Sequence, residues 1–332
     1  MDLGVVVGGD LREQGDLSRV VEEAGFESVW VAETARSAYV QAAVACAATS
    51  SVKVGTNIAL AFPRSPTVTA MTARDLAELS EGRFILGLGT QVKRVNEERF
   101  SVRFEHPAPK IAEAVDVIRR VWGSFGGSPP GHQGRFYNVT MPPFPGAAPP
   151  VRPIPIYMAA VNVHMARTAG RCADGVLGHP MTSPDYVREV LRPAVEGGAR
   201  AGGRDVRDVN ITTSVIVQVS KEREAARREA ALQIGFYATT RTYRPVLARY
   251  GFDELIDPLR EAFRQSDVAA MTDISLPMVD TLAIAGEPDE CRERVAAFDG
   301  VADRVILGGA WVGPQDRVAE NHRAIIETFG LR

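Results

Sequence analysis

The chain has 332 residues, of which 45% are hydrophobic and 24% charged, with a formal net charge of −3. Those proportions fit a soluble globular protein, and so small a charge gives no general pull toward nucleic acid or an anionic membrane. No apolar run reaches the ~18 residues of a membrane helix, and the opening MDLGVVVGGD reads as strand rather than as a basic leader, so a cytoplasmic location is expected.

Along the chain one device recurs. A helix ends at a glycine and a short buried strand follows, as in EEAGFESVWVAE, LSEGRFILGLG, TAGRCADGVLG and FDGVADRVILGG. Strands are predicted near Leu3–Gly8, Ser28–Glu33, Val52–Leu60, Phe84–Gly89, Ile154–Ala160, Gly175–His179, Ile211–Val219 and Arg304–Gly309. The helix Ser37–Thr49 between the second and third strands is rich in small apolar residues (Ala42, Ala43, Val44, Ala45, Ala47, Ala48). After the third strand Ser65 is the expected N-cap and Pro66 the first helical residue. Val68, Met71, Leu76 and Leu79 follow at helical spacing, and Gly82 closes the helix in the left-handed conformation. An amphipathic helix then carries Ile111, Ala114, Val115, Ile118, Val121 and Trp122 on one face. Strands alternating with helices imply a parallel sheet, and about eight such units suggest an α/β fold of the (β/α)8 TIM-barrel type. A doubly wound open sheet is the alternative. One domain, 1–332, is expected.

Two segments interrupt the repeat, after strands 4 and 7. Gly123 to Pro153 is rich in Gly and Pro and holds GHQGRFYNV, a predicted hairpin. Ala231 to Pro277 reads as a helical insertion bearing Phe236, Tyr237, Tyr243, Tyr250, Phe252 and Phe263. These aromatics either pack the insertion onto the barrel or wall a substrate chamber beneath a lid. The cysteines Cys46, Cys172 and Cys291 have neither disulfide nor zinc spacing and read as core thiols; no metal is expected.

Three patterns, in this order and spacing, carry a family resemblance: VGTNIAL followed by the proline-led helix, EGRFILGLGTQ, and PIPIYMAAVNVHMARTAGRCADGVLG. IAGEPDECRERVAAF and ADRVILGG extend it over nearly the whole chain. The chain resembles the bacterial luciferase-like superfamily, and within it the oxidoreductases that use the deazaflavin coenzyme F420. The resemblance implies a luciferase-like TIM barrel. It implies a cis peptide at Asn57-Ile58, where a bulge backs the deazaflavin ring; a plain buried strand is the structural alternative. The turn Ala159-Ala160-Val161-Asn162-Val163 matches one that binds the cofactor phosphate. Val161 and Asn162 replace the usual glycine pair, however, and Asn162 could serve only as a helix cap. Gly89 and Thr90 form a second phosphate candidate. Glu33 matches an acid that contacts the cofactor. Thr34 stands where relatives carry His, so that proton-transfer role is not carried over. Gln91 lies near a catalytic Glu of the sugar-phosphate branch, and the loss of that acid argues against sugar-phosphate oxidation. Family members pair through the first barrel helices, so a homodimer is expected, with close packing inside one barrel as the other account of the alanines.

In a (β/α)8 enzyme the chemistry sits at the C-terminal strand ends. The chain offers few acids or bases there and no hydrolase motif, which suits a bound redox cofactor. The candidate catalytic residues are His179, Glu33 and Gln91, of which only His179 and Glu33 titrate usefully. Lys93, Arg94, Arg99 and Arg103 either meet the acidic coenzyme tail or form a solvated face. The leading reading is hydride transfer between F420 and a small-molecule substrate. The rivals are an FMN-dependent monooxygenase of the same fold, which would activate oxygen, and a non-catalytic flavin-binding barrel.

Overall fold

A computed structural model describes residues 1–142, 146 and 148–331. Eight parallel strands close into a barrel: β1 (Asp2–Val6), β2 (Ser28–Val31), β3 (Lys53–Thr56), β4 (Phe84–Gly89), β5 (Ile156–Ala160), β6 (Gly175–Gly178), β7 (Asn210–Val219) and β8 (Arg304–Gly308). Each pairs in parallel with the next, and β8 returns to β1. The helices in chain order are α1 (Leu11–Glu23), α2 (Ala38–Ala48), α3 (Pro66–Leu79), α4 (Pro107–Ser124), α5 (Val163–Cys172), α6 (Arg192–Ala201), α7 (Arg223–Ala238), α8 (Arg244–Arg249), α9 (Ile256–Arg264), α10 (Val268–Ser275), α11 (Pro288–Ala296) and α12 (Gln315–Phe329). The predicted TIM barrel is therefore present, and the open-sheet alternative is not. Among the described residues, no helix is long and apolar enough to cross a membrane.

Strand periodicity divides the core in two. Val5, Val29, Val54, Leu86 and Met158 face outward to the helices, while Trp30, Ile85, Tyr157, Leu177 and Ile306 fill the barrel. Trp30 fits because its indole lies over Gly4 of β1 and its partner Gly55 of β3; a β-carbon at either would collide with the indole. Below it Arg304 is buried inside the barrel, paired with Glu27 at 2.8 Å, with its guanidinium 5.7 Å from the Trp30 ring. The lower half of the barrel is thus packed solid. The upper half, toward the strand C-termini, carries the partly buried Val6, Ile58 and Ala159.

Several local expectations hold. Ser65 caps α3 by accepting the Val68 amide at 3.2 Å, with Pro66 in the first turn. Gly82 takes a φ of +86°, as the left-handed closure requires. His132–Gln133 and Asn138–Val139 pair as the predicted hairpin; residues 143–145 and 147 of that segment lie outside the described ones. Cys46 and Cys291 are buried, and burial pushes both thiols up to about 11.

Three expectations need correction. The third strand is not continuous from Val52 to Leu60. It stops at Thr56, and Ala59–Leu60 pairs separately with Leu88 and Gly89 of β4. On α3, only Leu76 of the four spaced apolar residues is buried. Val68, Met71 and Leu79 are 51%, 45% and 48% exposed, because the face against the barrel is the small-residue set Ala70, Ala73 and Ala77. The helical segment between β7 and β8 begins at Arg223 rather than Ala231. It runs through α10 to the short strand Ile284–Gly286, which pairs with the end of β7, and α11 then returns along the barrel. Met181, Ile216, Ile234, Leu247, Leu259 and Met271 belong to a second core that fastens this segment over the strand C-termini.

Candidate active site

The break between Thr56 and Ala59 builds the mouth of the barrel. Thr56 Oγ1 accepts the Gly87 amide at 2.9 Å and donates to the Gly87 carbonyl at 2.8 Å, so a side chain replaces the ladder where β3 leaves β4. The next peptide bond, Asn57-Ile58, is cis. Asn57 then donates across the barrel to Ser214 Oγ on β7 at 2.7 Å. Ile58 turns inward and joins the interior cluster. It lies directly on β4 because residue 89 is glycine; a β-carbon there would strike Ile58 Cδ1 and come within 3.3 Å of the Ala159 methyl. Ile58, Gly89 and Ala159 so form an apolar step facing the mouth.

Glu33 holds this turn from behind. Its amide donates to the Ile58 carbonyl at 3.1 Å, and its carboxylate Oε2 accepts the Leu60 amide at 2.8 Å. Both carboxylate oxygens also pair with the Arg64 guanidinium, which stands 5.0 Å from the Tyr39 ring. The Glu33 side chain is only 6% exposed. A carboxylate that buried is stable only when paired and hydrogen-bonded, as this one is. Thr34 beside it is exposed.

Gly89 leads into Thr90 and Gln91. Gln91 has a φ of +56° and folds its Oε1 back onto the Val92 amide at 2.9 Å. Buried Asn96 fixes this loop by donating to the Thr90 and Val92 carbonyls at 2.8 and 3.0 Å. Beyond it, Lys93, Arg94 and Arg103 each face a neighbouring carboxylate, on Glu97, Glu98 and Glu105. At the β5–α5 turn, Asn162 accepts the Met165 amide at 3.1 Å and so caps α5. Ala159 faces the interior, the Val161 carbonyl accepts from Tyr186 at 2.7 Å, and Val163 is 42% exposed.

His179 follows β6 and meets the lid. Its ring lies 4.2 Å from that of Tyr243 and 4.6 Å, edge-on, from that of Tyr237. Tyr237 Oη accepts from the Trp311 indole at 3.1 Å, and Phe236 stands edge-on to Trp311 at 5.0 Å. Gln233, on the same face of α7, accepts the Trp311 and Val312 amides and ties the lid to the loop after β8. Tyr250 lies apart, bonded to Ser183 at 2.5 Å. His179 Nδ1 accepts the Met181 amide at 3.2 Å, and burial lowers its pKa to about 3. The imidazole is therefore neutral at pH 7, with its proton on Nε2. Burial raises the Tyr237 and Tyr243 phenols, so these too stay uncharged.

Sequence reasoning missed Arg64, Ser214 and Gln233. Ser214 carried a signal, since the strand ITTSVIVQV places polar residues on its inward register. Arg64 and Gln233 carried none, because one sits in a turn and the other in an ordinary helical pattern.

A family model described as luciferase-like monooxygenase matches residues 2–304. The chain belongs to the luciferase-like monooxygenase family. It is 34% identical over 304 residues to the uncharacterized protein Rv1360 of Mycobacterium tuberculosis, covering 89% of each chain. It is 27% identical over 307 residues to the 5,10-methylenetetrahydromethanopterin reductase of Methanolobus tindarius, covering 91% of each. A third relative, Rv3520c of Mycobacterium tuberculosis, is provisionally named a coenzyme F420-dependent oxidoreductase; it is 30% identical over 322 residues, covering 90% of this chain and 91% of its own. Among solved structures, the coenzyme F420-dependent tetrahydromethanopterin reductase of Methanopyrus kandleri superposes with a TM-score of 0.83 at 23% identity, covering 99% and 97% of the two chains. The oxygenating constituent of 3,6-diketocamphane monooxygenase from Pseudomonas putida, in complex with FMN, superposes with a TM-score of 0.69 at 18% identity over 100% and 97%.

The neutrality of His179 has a measurable consequence. The unfolded chain takes up a proton at this residue near pH ~6.5, whereas the native ring resists it until about 3. Stability from this group is complete above the unfolded value and is lost as pH falls through that window. His179→Phe should flatten the fall of the urea midpoint between about pH 6.5 and 4. A pH dependence identical to that of the wild type would show that the ring is not held neutral.

Proposed function

We propose that this protein is an oxidoreductase that binds coenzyme F420 at the barrel mouth and catalyses hydride transfer with a small organic substrate beneath the lid. The observation that carries the reading is the uncharged, apolar step of Ile58, Gly89 and Ala159, which fits the face of a flat heterocycle. The F420-dependent description of Rv3520c and the reductase relatives support the deazaflavin over FMN. Bound F420 would supply or accept the hydride at C5 of its deazaflavin. Ile58 would back the ring, with Asn57 fixed by Ser214 beside it. Gly89, Thr90 and the Ala159–Val163 turn at the start of α5 would hold the phosphate through backbone amides. Thr34 and Gln91 would line the rim. Glu33 would act through the turn as a positioning residue, since its oxygens are committed to Arg64 and Leu60. His179 would donate a hydrogen bond rather than a full proton, which leaves water or the substrate as the proton partner.

Spectral titration of apo protein should show F420 binding at least tenfold tighter than FMN, a difference of about 1.4 kcal/mol. Tighter FMN binding, with oxygen consumption on reduction, would replace this reading with the monooxygenase one.

The role of Glu33 is separable by a double-mutant cycle. If Glu33 acts through the turn, Glu33→Ala and Arg64→Ala should weaken F420 binding by similar factors and the pair should lose little more than either alone. Additive losses would mean that Glu33 touches the cofactor itself.

Assembly as a homodimer through α2 and α3 belongs to the same proposal. The polar groups of α2, on Tyr39, Gln41 and Cys46, are all on buried residues. Its outer face therefore presents Val40, Ala43 and Ala47 beside the exposed Val68, Met71 and Leu79 of α3. A helix apolar on every side is stable where something covers it, and a two-fold axis lets one patch cover itself. Sedimentation should show a dimer at micromolar concentration, and Leu79→Glu should convert it to monomer. A wild type that sediments as monomer would refute the assignment.

A further inference from the structure

The lid and the rim converge on one hydrogen-bond donor. His179 commits Nδ1 to the Met181 amide, so the ring's single proton is on Nε2, for which no partner stands among the described residues. The ring cannot easily turn to offer Nδ1 instead, because Tyr243 lies along it at 4.2 Å and Tyr237 meets it edge-on at 4.6 Å. Tyr237 is itself fixed by the Trp311 indole, and Trp311 by Gln233. Tyr237 and Tyr243 therefore hold the imidazole in place as a neutral donor.

That chemistry selects. A neutral donor among aromatic walls matches a neutral acceptor on a flat molecule. A carboxylate there would give up its hydration without gaining a positive partner. We propose that His179 and the lid recognise an uncharged aromatic or conjugated carbonyl compound, whose oxygen accepts a hydrogen bond from Nε2 of His179 while its plane lies against the rings of Tyr237, Tyr243 or Trp311. The proposal rests on the hydride-transfer reading for its use, since a carbonyl so held is an electrophile. It does not need that reading for binding. Arg241 and Arg244, on either side of Tyr243, are exposed to solvent; an anion captured by them would not depend on His179.

The test is calorimetric binding of three probes of one shape to the full-length protein, with and without F420: 2-acetylnaphthalene, 2-ethylnaphthalene and 2-naphthoate. The ketone should bind about fivefold or more above the hydrocarbon, the effect of one neutral hydrogen bond, and at least tenfold above the carboxylate. His179→Phe keeps a ring against the two tyrosines and removes the donor. It should erase the preference for ketone over hydrocarbon while leaving hydrocarbon binding within about twofold. Nitrogen NMR of the wild type at pH 7 should place the His179 proton on Nε2, and the ketone should shift that signal. Naphthoate binding as tightly as the ketone, a ketone preference that survives in His179→Phe, or no binding of any probe would each overturn the proposal. If the probes behave as expected but F420 does not bind, the recognition stands and the hydride-transfer reading fails.

Discussion

The site depends on a buried carboxylate. Glu33 lies behind the end of the third strand, where an unpaired charge would be intolerable, and its two oxygens are satisfied by one guanidinium and one backbone amide. Those same contacts set where the chain goes after Thr56. The Leu60 amide bound to Glu33 draws the chain back to pair with β4, and the backbone of Glu33 holds the Ile58 carbonyl from the other side. Ile58 is left with one direction, inward. An ion pair behind the strand thus fixes an apolar side chain at the mouth, where a planar cofactor would lie on the proposed reading.

Packing below the site reinforces this. Trp30 and Tyr157 fill the lower barrel only because Gly4, Gly55 and Gly175 leave room for them. The interior becomes solid up to the level of Ile85 and Leu177, and partly buried residues follow above. In a barrel of this size the interior is a core, not a channel, so the usable space is the mouth. The second hydrophobic core then lays α7 to α10 across that mouth. Two independent apolar clusters, one inside the barrel and one in the lid, bound the site from opposite sides.

The sequence made the frame legible and the site only partly so. Strand positions could be read because each strand is a short β-branched run after a helix-closing glycine, a local pattern that tertiary contacts do not override. The outward face of α3 departs from the periodicity for a related reason. Val68, Met71 and Leu79 have helical spacing, but spacing marks a face without saying which face the barrel takes. Here the small residues Ala70, Ala73 and Ala77 let the helix come close to the strands, and the larger ones were left outside. The start of the lid at Arg223 is hidden in the sequence because REAARREAAL reads like any amphipathic barrel helix. The pairings of Glu33 with Arg64 and of Asn57 with Ser214 join residues far apart in the chain, so no periodicity could have shown them.

The rim is notable for what its groups do at neutral pH. Glu33 is spent on structure, Gln91 on its own loop and Asn162 on a helix cap. His179, the remaining titratable candidate, is neutral because it is buried against aromatic rings and its Nδ1 already accepts a hydrogen bond from the Met181 amide. General acid catalysis works best from a group whose pKa lies near the operating pH, and a ring held near 3 is far from that. On the proposed reading, the role left to His179 is polarisation by a fixed donor, an effect that strengthens as water is excluded. The lid is tied to the rim through Gln233 and Trp311, and its Tyr237 and Tyr243 hold the imidazole in place, which suits a reaction whose difficult step would be carried by a cofactor rather than by an acid of the protein.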